Sequence, residues 1–337
     1  MRRRQQPPLP KRYGLDPARL RLPEEGNWPS LREHLIHRLP RVEPARIDEM
    51  LRAGEIVDLE GPLGLDSPFV PGGAVWFHRD LPAEHPVPFD IPIVYRDDTI
   101  LIADKPHFLA TIPRGSHILQ TALVKLRREL DLPDLIPAHR LDRATAGLML
   151  FVIDPASRGA YQTMFQRQHV RKEYEAVAGF RPGLDFPVEL VSRIIKEKHI
   201  LAAQEVAGPP NARTRIELLE RRGELGRYRL HPATGRTHQL RLHMNSLGIP
   251  ILGDDFYPVL TDKQLDDYRR PLQLLAATLE FTDPHTGELR RFETRRSLQA
   301  WTDPDGWAAG PAVLAEAAAP APGHAGGPGS GHAGGPA

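Results

Sequence analysis

Residues 137–152 read PAHRLDRATAGLMLFV. The second half is an unbroken apolar run, the pattern of a packed strand. The first half sets Asp142 two residues after Arg140 and just ahead of that run. An aspartate there is either an ordinary turn residue or a carboxylate held at the lip of a strand for chemistry.

Outward from this stretch, strands dominate. IPIVYRDDTILIADKP (91–106) reads as two strands joined by an Asp97-Asp98 turn. LQTALVKLRREL (119–130) is an amphipathic helix, and Asp154 with Pro155 behind it starts another. VRKEYEAVAGF, ARTRIELLER and GRYRLHP alternate as strands. RTHQLRLHMNSLG is a short helix with Leu240, Met244 and Leu247 inward and Gly248 at its end. The strands are mostly not separated by crossover helices. This predicts an α+β fold with a mixed, largely antiparallel central sheet and flanking helices, plus a small N-terminal α/β unit.

The 337 residues suggest about two domains at roughly 150 residues each. Residues 1–27 read as a flexible basic arm. Residues 28–83 read as a small unit with two short helices: Ser30 and Glu33 form a capping box, Ile47, Met50 and Leu51 face inward, and Gly54 ends the second helix. EIVDL and AVWFHRD follow as short strands. This order resembles the small RNA-binding domain shared by a ribosomal protein and many RNA-modifying enzymes. Residues 84–90 (EHPVPFD) are a Pro-broken linker, 91–303 the larger unit, and 304–337 an Ala/Gly/Pro-rich tail whose composition cannot support a core.

Net charge is only +1, but residues 193–241 hold eleven Lys/Arg against five Asp/Glu. That excess is either a polyanion footprint or a solvated face. The absence of cysteine excludes disulfides, thiolate zinc sites and cysteine nucleophiles. No apolar run approaches the roughly 20 residues of a membrane span. The basic N-terminus lacks the apolar stretch of a secretory signal, and its Pro-rich continuation makes a poor amphipathic targeting helix. A cytoplasmic location is expected.

Two patterns are decoys. HRDL (78–81) imitates a protein-kinase catalytic loop, but His85 stands where that loop needs asparagine. His139, Asp142, His238 and His243 match no metal-ligand spacing, so no metal is expected.

HRLDRATAGLMLF resembles the central motif of the RluA-type pseudouridine synthases, which isomerise uridine in ribosomal and transfer RNA. Three further stretches resemble the same family in the expected order: DKPHFLATIPRG (104–115), VRKEYEAVAG (170–179) and LHPATGRTHQLRLHMNSLGIPILGDDFY (230–257). The resemblance runs from about residue 91 to 295. It implies the pseudouridine synthase fold for the larger unit, with Asp142 as the catalytic aspartate. The reaction breaks the bond between uracil and ribose, rotates the base and rejoins it through carbon 5. A carboxylate can attack the sugar or remove a ribose proton so that a glycal forms. Substrate and product are isomers, so no cofactor is expected.

By the same resemblance, Tyr174 stacks on the uracil and helps remove the carbon 5 proton. Arg241 pairs with the aspartate and keeps it ionised. Arg140 fills the space left by an unstacked base or holds a phosphate. His139, Arg143, Lys172 and Arg236 are expected RNA contacts. The chain departs from the family pattern at Ala146, where serine is common, and at Pro258, where glycine often follows the tyrosine. RNA is the expected partner, ribosomal first and transfer second, with no membrane, no required protein partner and a monomer as default. The competing readings are an RNA-binding module that has lost catalysis and a metal-dependent hydrolase built on the histidines.

Overall fold

The computed structural model describes residues 7–81, 83–261, 263–264 and 266–310. Among the described residues the strands are β1 Ala18–Arg21, β2 Ala74–Phe77, β3 Ile93–Arg96, β4 Ile100–Lys105, β5 Ile136–Pro137, β6 Ala146–Val152, β7 Val170–Gly179, β8 Val188–Ile195, β9 Gln204–Val206, β10 Ala212–Arg222, β11 Leu225–Pro232, β12 Leu274–Thr282 and β13 Leu289–Glu293. The helices are α1 Leu31–Arg38, α2 Pro44–Arg52, α3 Ala122–Glu129, α4 Arg158–Gln166, α5 Gln239–Ser246, α6 Gln299–Thr302 and α7 Pro304–Ala309.

Eleven strands join one sheet in the order β3-β4-β6-β12-β7-β11-β10-β8-β9, with β5 added to β6 and β13 to β12. Only β6 and β12 run parallel among the described strands, so the sheet is mixed and largely antiparallel, as expected. The strand quoted at the outset lies inside it, between β4 and β12. Every residue of β6 is buried, which is why the run carries no polar side chain.

Gly147 lets β6 close on β12. Its φ is +112°, and a Cβ there would sit 2.3 Å from the Ala276 carbonyl oxygen. Ala276 pairs with Gly147 on one side and with Tyr174 on the other. The close approach of β12 therefore sets β6 and β7 at one level across it.

Local expectations hold where the chain supplies the cap. Ser30 Oγ accepts from Glu33 N at 3.2 Å, and Asp154 accepts from Ala156 N at 3.0 Å. Asp97 accepts from Thr99 and Ile100 N–H at 2.8 and 2.7 Å, closing the β3–β4 turn. Ile47, Met50 and Leu51 are buried with Leu22, Leu35 and Phe77 in a core separate from those of the large sheet.

Three expectations change. The arm of residues 1–27 is not free throughout: Ala18–Arg21 pair with β2, and Lys11 donates to Asp134 at 2.7 Å and to the Pro133 carbonyl. Alternating Ala18 and Leu20 cover the small core, and Lys11 finds a carboxylate, so this segment has partners the composition did not reveal. EIVDL forms no strand, only two isolated bridges at Val57, to Pro62 and to Trp76. The tail begins later than residue 304, because Asp303 caps α7 through Gly306 N and Trp307 donates to the Pro271 carbonyl at 3.2 Å. Residues 311–337 lie outside the described residues.

Candidate active site

Asp142 lies in the loop from β5 to β6, and that loop is held from beneath by one segment, residues 105–111. Thr111 Oγ1 donates to the Leu141 carbonyl at 2.8 Å and accepts from Leu141 N at 3.2 Å. His107 Nδ1 meets the Ala144 carbonyl at 2.7 Å, so this nitrogen carries the proton. Lys105, wholly buried, donates to the carbonyls of Pro106, Leu109 and Arg143 at 2.9, 2.8 and 3.4 Å. Asp142 closes the turn itself by accepting from Thr145 N at 3.1 Å through its backbone carbonyl. Backbone on both sides of Asp142 is thus anchored, which fixes where its side chain leaves the loop.

The Asp142 charge acts on Lys105, Tyr174, His238, Arg241 and Tyr257, which come from four separate parts of the chain. Burial lowers Lys105 to about 7, against the pull of Asp142. Burial, and then the Asp142 charge, raise the Tyr174 phenol well above its ordinary value. Tyr174 sits on β7 at the seam of two apolar cores, packed against both. His238 stands in the left-handed region, φ +56°, at the start of α5, with Nδ1 3.0 Å from the Tyr257 hydroxyl.

Arg241 corrects one expectation. Its bidentate partner is Asp254, with Nε to Oδ2 at 2.7 Å and a terminal nitrogen to Oδ1 at 2.5 Å; the same nitrogen reaches Asp255 at 2.6 Å. Asp142 acts on it through charge alone. The two carboxylates of GDDFY take Nε and one terminal nitrogen of the guanidinium, so its bidentate edge faces Asp254 and not Asp142. Burial opposes the charge on Arg241, but the hydrogen bonds to Asp254 and the surrounding carboxylates outweigh it and raise its pKa further. A cation that is buried yet permanent remains beside Asp142.

The expected RNA contacts divide. Arg140 and Arg236 are exposed, and Arg236 Nε donates to the Asn211 carbonyl at 3.0 Å. Arg143 lies over the Phe108 ring at 5.9 Å, and burial lowers its pKa. Lys172 is partly buried on β7, lowered by burial, and its charge acts on His139. His139 has an internal task instead of a phosphate: its ring stacks on Phe165 at 4.4 Å, its Nε2 accepts from Leu150 N at 3.1 Å, and burial lowers it to about 3. An imidazole kept neutral with its acceptor engaged is a poor anion ligand.

His243, the remaining histidine of the metal reading, is buried between Thr214 Oγ1 at 2.8 Å and Ser192 Oγ at 3.0 Å. Among the described residues no cluster of His, Asp and Glu is arranged to hold a metal. Sequence reasoning assigned no role to Lys105, His107, Thr111, Asp254 or Asp255. The signal was present, since all five lie inside two of the quoted motifs, but only the fold shows what they hold.

The large sheet, with an aspartate loop leading into a buried inner strand and a tyrosine and an arginine that feel the aspartate's charge, has known counterparts. The model of the family described as RNA pseudouridylate synthase matches residues 99–246. The ribosomal large subunit pseudouridine synthase D of Vibrio parahaemolyticus is 32% identical over 231 residues, 64% of this chain and 68% of that one. The dual-specificity RNA pseudouridine synthase RluA of Vibrio cholerae is 33% identical over 204 residues, 59% of this chain and 80% of that one. Among solved structures, human RNA pseudouridylate synthase domain containing 1 superposes with a TM-score of 0.52 at 24% identity, over 66% of this chain and 90% of that chain, which speaks for the fold. With motifs, sheet and relatives in agreement, the chain belongs to the RluA-type family of RNA pseudouridine synthases, isomerases that convert uridine to pseudouridine in RNA.

Proposed function

We propose that Asp142 carries the isomerisation in this chain, with Tyr174 as the stacking and proton-removing partner and Arg241 as the cation paired with it by charge. What supports this reading is the anchored Asp142 loop at the head of β6 together with the register that sets Tyr174 level with Gly147 across Ala276, and the Asp142 charge acts on both Tyr174 and Arg241. Attack on the sugar and removal of a ribose proton both need an ionised carboxylate held still, and the clamp of Lys105, His107 and Thr111 supports that.

Tyr174 suits a two-stage role. While Asp142 is charged, the phenol stays protonated, and its ring offers a face to the uracil. When Asp142 bonds to the sugar, or takes up a proton, its charge is spent. One of the two causes that hold the proton on Tyr174 then disappears, so the phenol releases its own proton to solvent more readily, and the phenolate that results can take the carbon 5 proton.

Residues 91–303 form the catalytic unit on this reading, and 28–83 a small RNA-docking unit joined by 84–90. Ribosomal RNA is the first target and transfer RNA the second; a relative named for the ribosomal large subunit favours that order. A monomer acting in the cytoplasm completes the reading. Among the described residues no helix is long and apolar enough to cross a membrane. A pseudouridine map of cellular RNA with and without this protein tests the target: loss of one or a few ribosomal sites is expected, and loss confined to transfer RNA would reverse the order.

A further inference from the structure

A groove of about 630 Å³ lies where three segments meet: the amino-terminal segment around Arg12 and Tyr13, the residues after β2, and the turn at Arg114. Resting on the synthase reading, we propose that this groove is a second RNA site. Arg12, Arg79 and Arg114 hold the sugar–phosphate backbone of a strand flanking the target uridine, and Tyr13 stacks one base.

Charge decides the class of ligand. The groove's carboxylates are already engaged elsewhere. Asp80 receives Arg46 bidentately at 2.9 and 3.0 Å, and Asp16 lies 3.3 Å from Arg127 and 3.7 Å from Lys11. Arg12, Arg79 and Arg114 are exposed and form no ion pair among the described residues. The basic stretch 193–241 is the contrast. Arg213, Arg215, Arg222, Arg227 and Arg229 there face Glu189, Glu217, Glu220, Glu175 and Glu173, so its excess is largely spent within the sheet. Uncompensated guanidiniums facing one groove fit a phosphodiester chain.

Placement favours a strand that continues from the active site. The turn at Arg114 is closed by paired backbone bonds between Arg114 and His117, and it begins just after Thr111, whose hydroxyl holds Leu141. Glu84 fixes the far side, accepting from Ile118, Leu119 and Gln120 N–H at 3.0, 2.7 and 3.0 Å. Tyr13 is 62% exposed, with its backbone at φ +54° and its segment pinned by Lys11 to Asp134. A large aromatic ring presented to solvent on a fixed backbone is a stacking platform for a base.

The test is binding of a fluorescein-labelled 20-nucleotide oligouridylate to the full chain across a salt series, beside tritium release from carbon 5-labelled uridine RNA. Replacing all three arginines (Arg12→Gln, Arg79→Gln, Arg114→Gln) should weaken binding about tenfold or more and cut the log–log salt slope by about 2, at about 0.7 per phosphate. Tyr13→Ala should weaken binding about fivefold and leave the slope unchanged. Urea midpoints should match wild type. Should the triple variant misfold, Arg114→Gln alone should lower the slope by about 0.7. Wild-type slope and affinity in folded variants, with tritium release intact, would overturn the groove and leave the synthase reading standing. Absence of both binding and release in wild type would remove that reading first. Competition by oligoglutamate as strong as by RNA would assign the groove to an acidic protein and also overturn the proposal.

Discussion

Arg241 and Asp254 form a buried bidentate pair, their side chains 2% and 1% exposed. Asp254 also accepts from Phe256 and Tyr257 N–H at 2.8 and 3.0 Å, so the pair joins α5 to the turn that carries Tyr257. Removing one partner of such a pair leaves an uncompensated buried charge, which costs about 3–5 kcal/mol. Arg241→Met should therefore lower the urea-unfolding free energy by about that much and abolish tritium release. Asp254→Asn, which touches no substrate on this account, should also cut release. If Asp254→Asn left both stability and rate at wild type, the positioning role of the pair would be wrong.

Gly147→Ala should be among the most damaging small substitutions in the chain. The added methyl meets Ala276 backbone at 2.3 and 2.6 Å, and backbone cannot swing aside. Overpacking of this kind costs about 1–3 kcal/mol or more, and the left-handed φ adds to it. Gly115→Ala is the control: its φ is also positive, +62°, but its Cβ position is open. It should lose only about 1 kcal/mol. Chemical denaturation of both variants separates the effects.

Thr111→Val keeps shape and removes a hydroxyl that serves both Leu141 N and Leu141 O. A buried donor and acceptor left unpaired should cost about 1–3 kcal/mol. Because the loss frees the backbone beside Asp142, kcat should fall more than KM rises. An unchanged kcat with a destabilised fold would mean the clamp serves stability alone.

Lys105 sets a pH window. Its folded pKa, about 7, lies below the ordinary lysine value of 10.5. Between those two values the unfolded chain binds more protons than the folded one, so this residue makes stability rise with pH from about 7 toward 10.5. Below about 7 the folded chain carries the buried cation and bears its full cost. Lys105→Met should remove this rise from the urea midpoint against pH, whatever it does to the midpoint at any one pH. A rise that persists in Lys105→Met would belong to other groups.

Much of the fold was legible in the sequence because its signals were local. The apolar run of β6, the Asp97 turn and the Asp154 cap each announce themselves within a few residues. What stayed hidden depends on partners far along the chain. Lys11 needs Asp134, and Ala18–Arg21 need β2, so the arm looked unstructured. Arg241 was legible by resemblance as the cation expected to pair with the aspartate, but its burial and its bidentate partner, Asp254, turned on which carboxylate the fold brings to it. His139 looked like a surface base because nothing local reveals Phe165 beneath it. Lys105 and Thr111 lay inside a quoted motif, yet their function is to hold a loop some 30 residues away, which spacing alone does not encode.

The central claim is that one carboxylate, Asp142, performs the isomerisation. Tritium release from carbon 5-labelled uridine RNA by wild type and Asp142→Asn, with matched urea midpoints and matched RNA affinity, tests it most directly. Release by wild type and none by the variant is the predicted result; equal release by both would contradict the account.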